Sequence, residues 1–170
     1  LPVMSLMFGE EELRGTYTAP FVGHLVAQNY FMSADNDVNR EFVEQWKDYV
    51  KRHRLPGGIR RTVNDPMEAH YIGFRMWVQA VEKAGTADVD RVREALAGQK
   101  VNAPSGYVVS MDKWNHHVHK PAFIGRIRKD GQVDVVSRTT DTIRPVSWNL
   151  IAPHSYHATG PPRASPTFTL

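Results

Sequence analysis

His116, His117 and His119 are the residues whose types and spacing most directly suggest chemistry. Neutral imidazoles bind zinc, and two histidines two residues apart on a strand share one face. A metal centre needs further ligands, however. No His-Glu-x-x-His helix and no second ligand cluster accompanies these three, so they read as a surface or loop group. Asp112 and Asp130 stand in turn contexts, where a carboxylate serves the backbone. The chain has no cysteine, no Gly-x-Ser-x-Gly elbow and no phosphate loop, so enzyme chemistry has no anchor in it. It offers no catalytic residue, no metal ligand set and no cofactor motif.

Glu68 and Tyr71 belong to a run with clear helix signals. Asp65 suits an N-cap, Pro66 the first helical position, and Glu68 the place from which a capping box reaches back. Met67, Tyr71, Phe74, Val78 and Val81 recur at helical spacing and predict a one-sided, core-packed helix. Lys83 in the last turn complements the dipole, and Gly85 stops the run. Asn29 and Tyr30 fall in an extended run, Gly23 to Ser33. Alternation there sends neighbouring side chains to opposite faces, so at most one of the two faces a ligand.

Around these runs, Leu1 to Phe8 predicts a buried strand and Gly9 to Arg14 a short acidic turn or helix. A helix carries Phe42, Val43, Trp46, Tyr49 and Val50 on one face and ends before Leu55-Pro56-Gly57-Gly58. Another spans about Asp88 to Ala97, with Val89, Val92 and Leu96 inward and Gly98 at its stop. From Gly106 the pattern turns extended: Tyr107 to Val109, Phe123 to Ile127, and Val133 to Val136, the last two joined through Lys129-Asp130-Gly131 as a hairpin. Residues 151–170 have the composition of a flexible tail. No internal repeat is present.

With 170 residues and 41% hydrophobic content, the chain can bury an ordinary core as one domain or part of a larger one. The opening apolar run reads as a strand already under way, which suggests that an upstream half lies elsewhere. At eight residues it is too short to span a bilayer, which takes about 20. A net charge of +3 could suit nucleic acid. The densest basic run, Lys51 to Arg54 with Arg60 and Arg61, instead flanks a turn at a helix end and reads as a solvated loop.

Several stretches then occur in order: Gly23-His24-Leu25 through Asn29-Tyr30-Phe31-Met32-Ser33, Asn64-Asp65-Pro66-Met67-Glu68-Ala69-His70-Tyr71-Ile72-Gly73, Ala80 to Gly85, Asn115-His116-His117, and Ile124-Gly125 through Asp130-Gly131-Gln132. Together, over roughly residues 1–149, they resemble the urea-type and short-chain-amide substrate-binding proteins of ABC transporters, within the branched-chain amino-acid-binding family. The resemblance implies an α/β chain with the type I periplasmic binding protein fold, two lobes joined by three crossings, present here as a C-terminal portion. Residues 1–22 would end the second lobe and 23–117 supply a crossing strand and first-lobe helices. Residues 118–150 would hold the return crossing and the terminal hairpin, leaving 151–170 as the tail. The tail after Asn149 departs from the family ending.

The implied function is to bind urea or a short amide in an interlobe cleft and deliver it to ABC permease subunits, in the periplasm and without spanning the membrane. Such ligands need acceptors for amide hydrogens and donors for the oxygen, which Glu68, Tyr71 and Asn29 can supply, with Tyr30 beside them. Each also has a structural role open to it: capping for Glu68 and core packing for Tyr71 and Tyr30. An amide-sensing regulator on the same fold is the alternative, with a small basic nucleic-acid-binding domain and a histidine-metal hydrolase behind it.

Overall fold

The computed structural model describes residues 1–146 and 168–169. In chain order the elements are β1 (Met4–Ser5), α1 (Glu10–Arg14), β2 (Leu25–Gln28), α2 (Asp37–Arg52), α3 (Asp65–Ala84) and α4 (Val89–Leu96). Then follow β3 (Lys100–Asn102), β4 (Val108–Met111), β5 (Val118–His119), β6 (Phe123–Ile127), β7 (Val133–Thr139) and β8 (Phe168–Thr169). Apart from β8, the expected tail at 151–170 lies outside the described residues.

These elements form two parts. One is a five-stranded sheet in the order β1-β2-β6-β7-β8, with β1 parallel to β2 and the other pairs antiparallel. Its core gathers Leu13, Val26, Phe31, Phe123, Ile127 and Val133. The other part joins the helices to a three-stranded antiparallel sheet, β3-β4-β5, around Ile72, Met76, Val101, Ala103 and Val109. Ala80, Val92 and Ala95 close the α3–α4 contact. Tyr107 packs on both cores, edge-on to Phe123, and its hydroxyl donates to the Thr139 carbonyl.

α3 runs where expected and ends at Gly85, whose φ of 66° is the left-handed conformation glycine adopts freely. Its start and its faces differ from expectation. Asn64 is the cap, its Oδ1 accepting the Met67 amide at 3.3 Å, while Asp65 and Pro66 are the first two helical residues. Glu68 is therefore one position too far along for a capping box. Asp65 is not free to cap because donors from two other segments hold its carboxylate, as described below.

The buried residues of α3 are Glu68, Ile72, Met76 and Ala80. The expected stripe centres on the opposite side at about 100° per residue. Within it Met67, Tyr71, Val78 and Val81 are half-buried and Phe74 is 64% exposed. α3 is thus apolar on two faces, and the small sheet and α4 cover the one that repeats every four residues.

Other expectations shift in the same way. The opening run forms only the two-residue edge strand β1, and Leu1, Val3, Met4, Leu6 and Met7 are exposed rather than buried. The Gly23–Ser33 run is strand only over β2: Gly23 and His24 still bond to Ile127 of β6, and the residues after Gln28 leave the sheet. α4 is capped by Asp88, but Val89 points outward while Val92 is buried. On α2, Val50 is buried and Phe42, Val43 and Trp46 are half-buried, whereas Tyr49 is exposed. The hairpin is present as expected, with Gly131 at a φ of 78°.

Candidate functional site

The described chain passes between the two parts through two segments, Asn29–Asn36 after β2 and Lys120–Ala122 before β6. Both meet the first turn of α3. Asp65 Oδ2 accepts the Asn29 main-chain amide at 3.1 Å, and Asp65 Oδ1 accepts from Lys120 Nζ at 2.9 Å. Asn29 Nδ2 donates to the Pro121 carbonyl at 2.7 Å, which joins the crossings to each other. Lys120 Nζ also donates to Glu68 Oε2 at 2.9 Å.

Glu68 is completely buried. Burial pushes its carboxyl above the ordinary range, and the Lys120 ammonium opposes that rise. Burial would lower the Lys120 pKa, but Glu68 and Asp65 outweigh it and hold the ammonium charged.

Tyr30 is likewise fully buried, with its hydroxyl donating to Asn39 Oδ1 at 2.7 Å. Burial first, and the charges of Glu10 and Glu68 next, raise its pKa. Asn39 passes the link on, its Nδ2 donating to the carbonyls of Met32 at 2.8 Å and Ala34 at 2.6 Å. Tyr71 is half-buried against Phe42, at a ring separation of 4.7 Å, and accepts from Arg75 Nη1 at 3.1 Å. Asn29, Tyr30, Glu68 and Tyr71 are therefore gathered around the crossings and the start of α3. Asn29 and Tyr71 are the two that keep some exposure.

The three consecutive glutamates of α1 reach the same region from the five-stranded sheet. Glu10 Oε1 accepts the Met32 amide at 2.6 Å. Glu11 Oε2 accepts from the Thr62 amide at 3.0 Å and its hydroxyl at 2.7 Å; burial would raise this carboxyl, but bonds from Arg14 and Thr62 outweigh it and hold it at about 2. Glu12 Oε1 accepts from Asn64 Nδ2 at 3.1 Å.

The histidines diverge. His116 adopts a φ of 56°, with Nε2 3.2 Å from the Arg93 carbonyl, while His117 is exposed. His119 Nε2 lies 3.0 Å from Asp112 Oδ2. Asp112 also serves its turn, accepting the Trp114 and Asn115 amides. Among the described residues, no three His, Cys, Asp or Glu side chains are grouped to hold a metal ion.

Sequence reasoning missed Lys120 and the double engagement of Asp65. A lysine followed by proline between two extended runs was visible, but the carboxylates it meets are 52 and 55 residues away.

Comparison with known proteins agrees with this architecture. A solute-binding protein of an ABC transporter from Rhodopseudomonas palustris HaA2, solved with p-hydroxybenzoic acid, is similar at a TM-score of 0.67 and 23% identity, over 88% of this chain and 39% of that one. The leucine-, isoleucine-, valine-, threonine- and alanine-binding protein from Brucella ovis, in its closed conformation, is similar at a TM-score of 0.63 and 19% identity, over 85% of this chain and 38% of that one. A limonene hydroxylase from Geobacillus stearothermophilus is 29% identical over 131 residues, 76% of this chain and 22% of that protein. The chain thus spans between about a fifth and two fifths of the length of these relatives. No described helix is long and apolar enough to cross a membrane. Residues 1–154 match the family described as periplasmic binding protein domain, and with this mixed α/β fold the chain belongs to that family.

Proposed function

We propose that this chain is a C-terminal portion of the periplasmic solute-binding component of an ABC transporter, which encloses a small organic solute between two lobes and delivers it to a membrane permease. The observation that carries the reading is the pair of crossings drawn together on Asp65, in a chain of the periplasmic binding protein domain family. Two parts joined through narrow crossings can close over a ligand, and affinity then comes from hydrogen bonds satisfied in a site from which water is excluded.

Urea or a short amide is the proposed solute, on the resemblance carried by Asn64 to Gly73 and Asn115 to His117. Asn29 and Tyr71 would touch it, with Glu68 and Tyr30 buried behind them. The role is binding, without a reaction.

Isothermal titration of urea, acetamide, 4-hydroxybenzoate and leucine tests this, using the 170 residues alone and the same residues joined to the upstream sequence of their gene. Urea or acetamide should bind the extended protein, and the shorter chain weakly or not at all. Binding of 4-hydroxybenzoate or leucine instead would overturn the amide assignment, and binding of none would overturn the solute-binding reading.

A further inference from the structure

We infer that residues 51–61, the last turn of α2 and the loop that follows it, are a docking surface for an anionic lipid bilayer: unpaired cations meet the lipid phosphates while Ile59 enters the headgroup layer. This goes beyond the solute-binding reading and does not depend on it.

Charge is concentrated in this segment. Residues 51–61 hold five Lys and Arg and no Asp or Glu, a net of +5; of the chain's 21 Lys and Arg and 18 Asp and Glu, the other 159 residues keep 16 and 18, a net of −2. Lys51, Arg52, Arg54 and Arg60 are exposed, and none of them forms an ion pair among the described residues. Several surface arginines elsewhere are neutralised: Arg40 pairs with Asp35 and Asp37, Arg93 with Asp90, and Arg128 with Asp130 and Asp134. The four loop cations instead keep their field towards solvent.

The backbone presents them at a cost. α2 ends with the Leu55 amide donating to the Val50 carbonyl at 3.1 Å and the Arg54 amide to the Lys51 carbonyl at 3.3 Å, the paired bonds of a Schellman motif. Arg54 takes the left-handed position of that motif at a φ of 50°, which glycine adopts freely and an arginine only with strain. Helix termination alone favours glycine there; arginine adds a cation at the base of the loop.

The loop is also fixed, and its tip is apolar. The Gly58 amide bonds to the Leu55 carbonyl and the Arg61 amide to the Gly58 carbonyl, each at 3.0 Å, which builds a single tight turn, Gly58–Arg60. That turn carries Ile59 outward, 70% exposed beside Arg60. Arg61 lies 6.0 Å from the centre of the Trp46 ring and Thr62 is fastened to Glu11, which anchors the far end. An aliphatic side chain among cations gains from the boundary between headgroups and acyl chains, whereas single-stranded nucleic acid is held by rings on which bases stack. Here the rings of Trp46, Tyr49 and His53 pack on one another, and Ile59 is the apolar group at the tip.

Vesicle co-sedimentation tests this on the 170 residues joined to the upstream sequence of their gene and, separately, on the 170 residues alone. Vesicles of phosphatidylglycerol and phosphatidylcholine in equal parts should bind the extended protein at low salt with half-saturation below about 1 mM lipid. They should release it at about 0.5 M salt, and phosphatidylcholine alone should not bind it. Arg54→Gly and Arg60→Ser should each weaken binding about fivefold, and Ile59→Ser at least about threefold. Arg54→Gly should leave the thermal midpoint unchanged or raise it, because glycine relieves the left-handed backbone, so its weaker binding is not lost folding.

No vesicle binding by the extended protein would overturn the proposal, even if the 170-residue chain binds, because the loop would then be covered in the larger protein. Equal vesicle binding by the parent and Ile59→Ser would also overturn it. So would tighter binding to a thymidine oligonucleotide of about 20 residues than to vesicles, which would assign the cations to nucleic acid.

Discussion

The Glu10 carboxylate accepts the Met32 amide at 2.6 Å from a fully buried position, so an acid on α1 grips the first crossing between the two parts. Burial pushes this carboxyl up to about 7 from its ordinary 4.5, although backbone hydrogen bonds pull the other way. The folded state binds the proton more tightly than the unfolded chain. Its stabilising contribution is therefore complete below pH 4.5 and is lost as pH rises through about 7. Glu10→Gln removes this dependence. Relative to the parent, the variant should gain roughly 3 kcal/mol of stability between pH 4.5 and pH 8, from a shift of about 2.5 units at 1.36 kcal/mol each. Urea denaturation at the two pH values measures it, and a pH-independent difference between the proteins would reject the assignment.

Tyr30→Phe keeps the ring packed on Phe42 but removes the donor to Asn39 Oδ1. A buried acceptor left without its partner costs about 1–3 kcal/mol. Chemical denaturation should show a loss in this range. Asn39→Ala should cost more, because it also frees the carbonyls of Met32 and Ala34. Equal losses would show that those two bonds contribute little.

Gly125 sits in β6 where a β-carbon would lie 2.1 Å from Val133 Cγ1 and 2.9 Å from Phe31 Cε2. The pairing with β7 is irregular at the same place, between Ile124 and Gly125. Gly125→Ala must push Val133 and Phe31 apart in the core, at about 1–3 kcal/mol for overpacking. Combining it with Val133→Ala, which removes the clashing methyl groups, should cost less than the sum of the single changes. Strict additivity would place the strain elsewhere.

Phe74 stacks on Trp77 at 5.8 Å, and both lie on the outward face of α3, 64% and 45% exposed. Together with the exposed edge strand β1, this face favours self-association of the 170-residue chain. Phe74→Ser should shift sedimentation velocity profiles towards monomer while changing stability by no more than about 0.5 kcal/mol. A loss above 1–2 kcal/mol would mean that Phe74 is covered in solution, since buried aromatic truncation costs about 3–5 kcal/mol.

The sequence by itself determined where α3 and α4 lie, the hairpin through Asp130-Gly131, and the absence of cysteine chemistry, because caps, turn residues and periodicity act over a few residues. It also carried the ordered motifs that resemble the binding-protein family. Tertiary structure decided which face of α3 is covered. The stripe of Met67, Tyr71, Phe74, Val78 and Val81 and the row of Ile72, Met76 and Ala80 are both apolar, and periodicity alone cannot rank two apolar faces. The answer depends on where β3, β4 and α4 arrive. It also decided what Asp65 does. Its residue type and position favour capping, but the Asn29 amide and the Lys120 ammonium compete for the same carboxylate, and the cap moves to Asn64. Local signals fix an element because its partners are neighbours in sequence. A carboxylate shared by segments 36 and 55 residues away is settled only when the chain has folded.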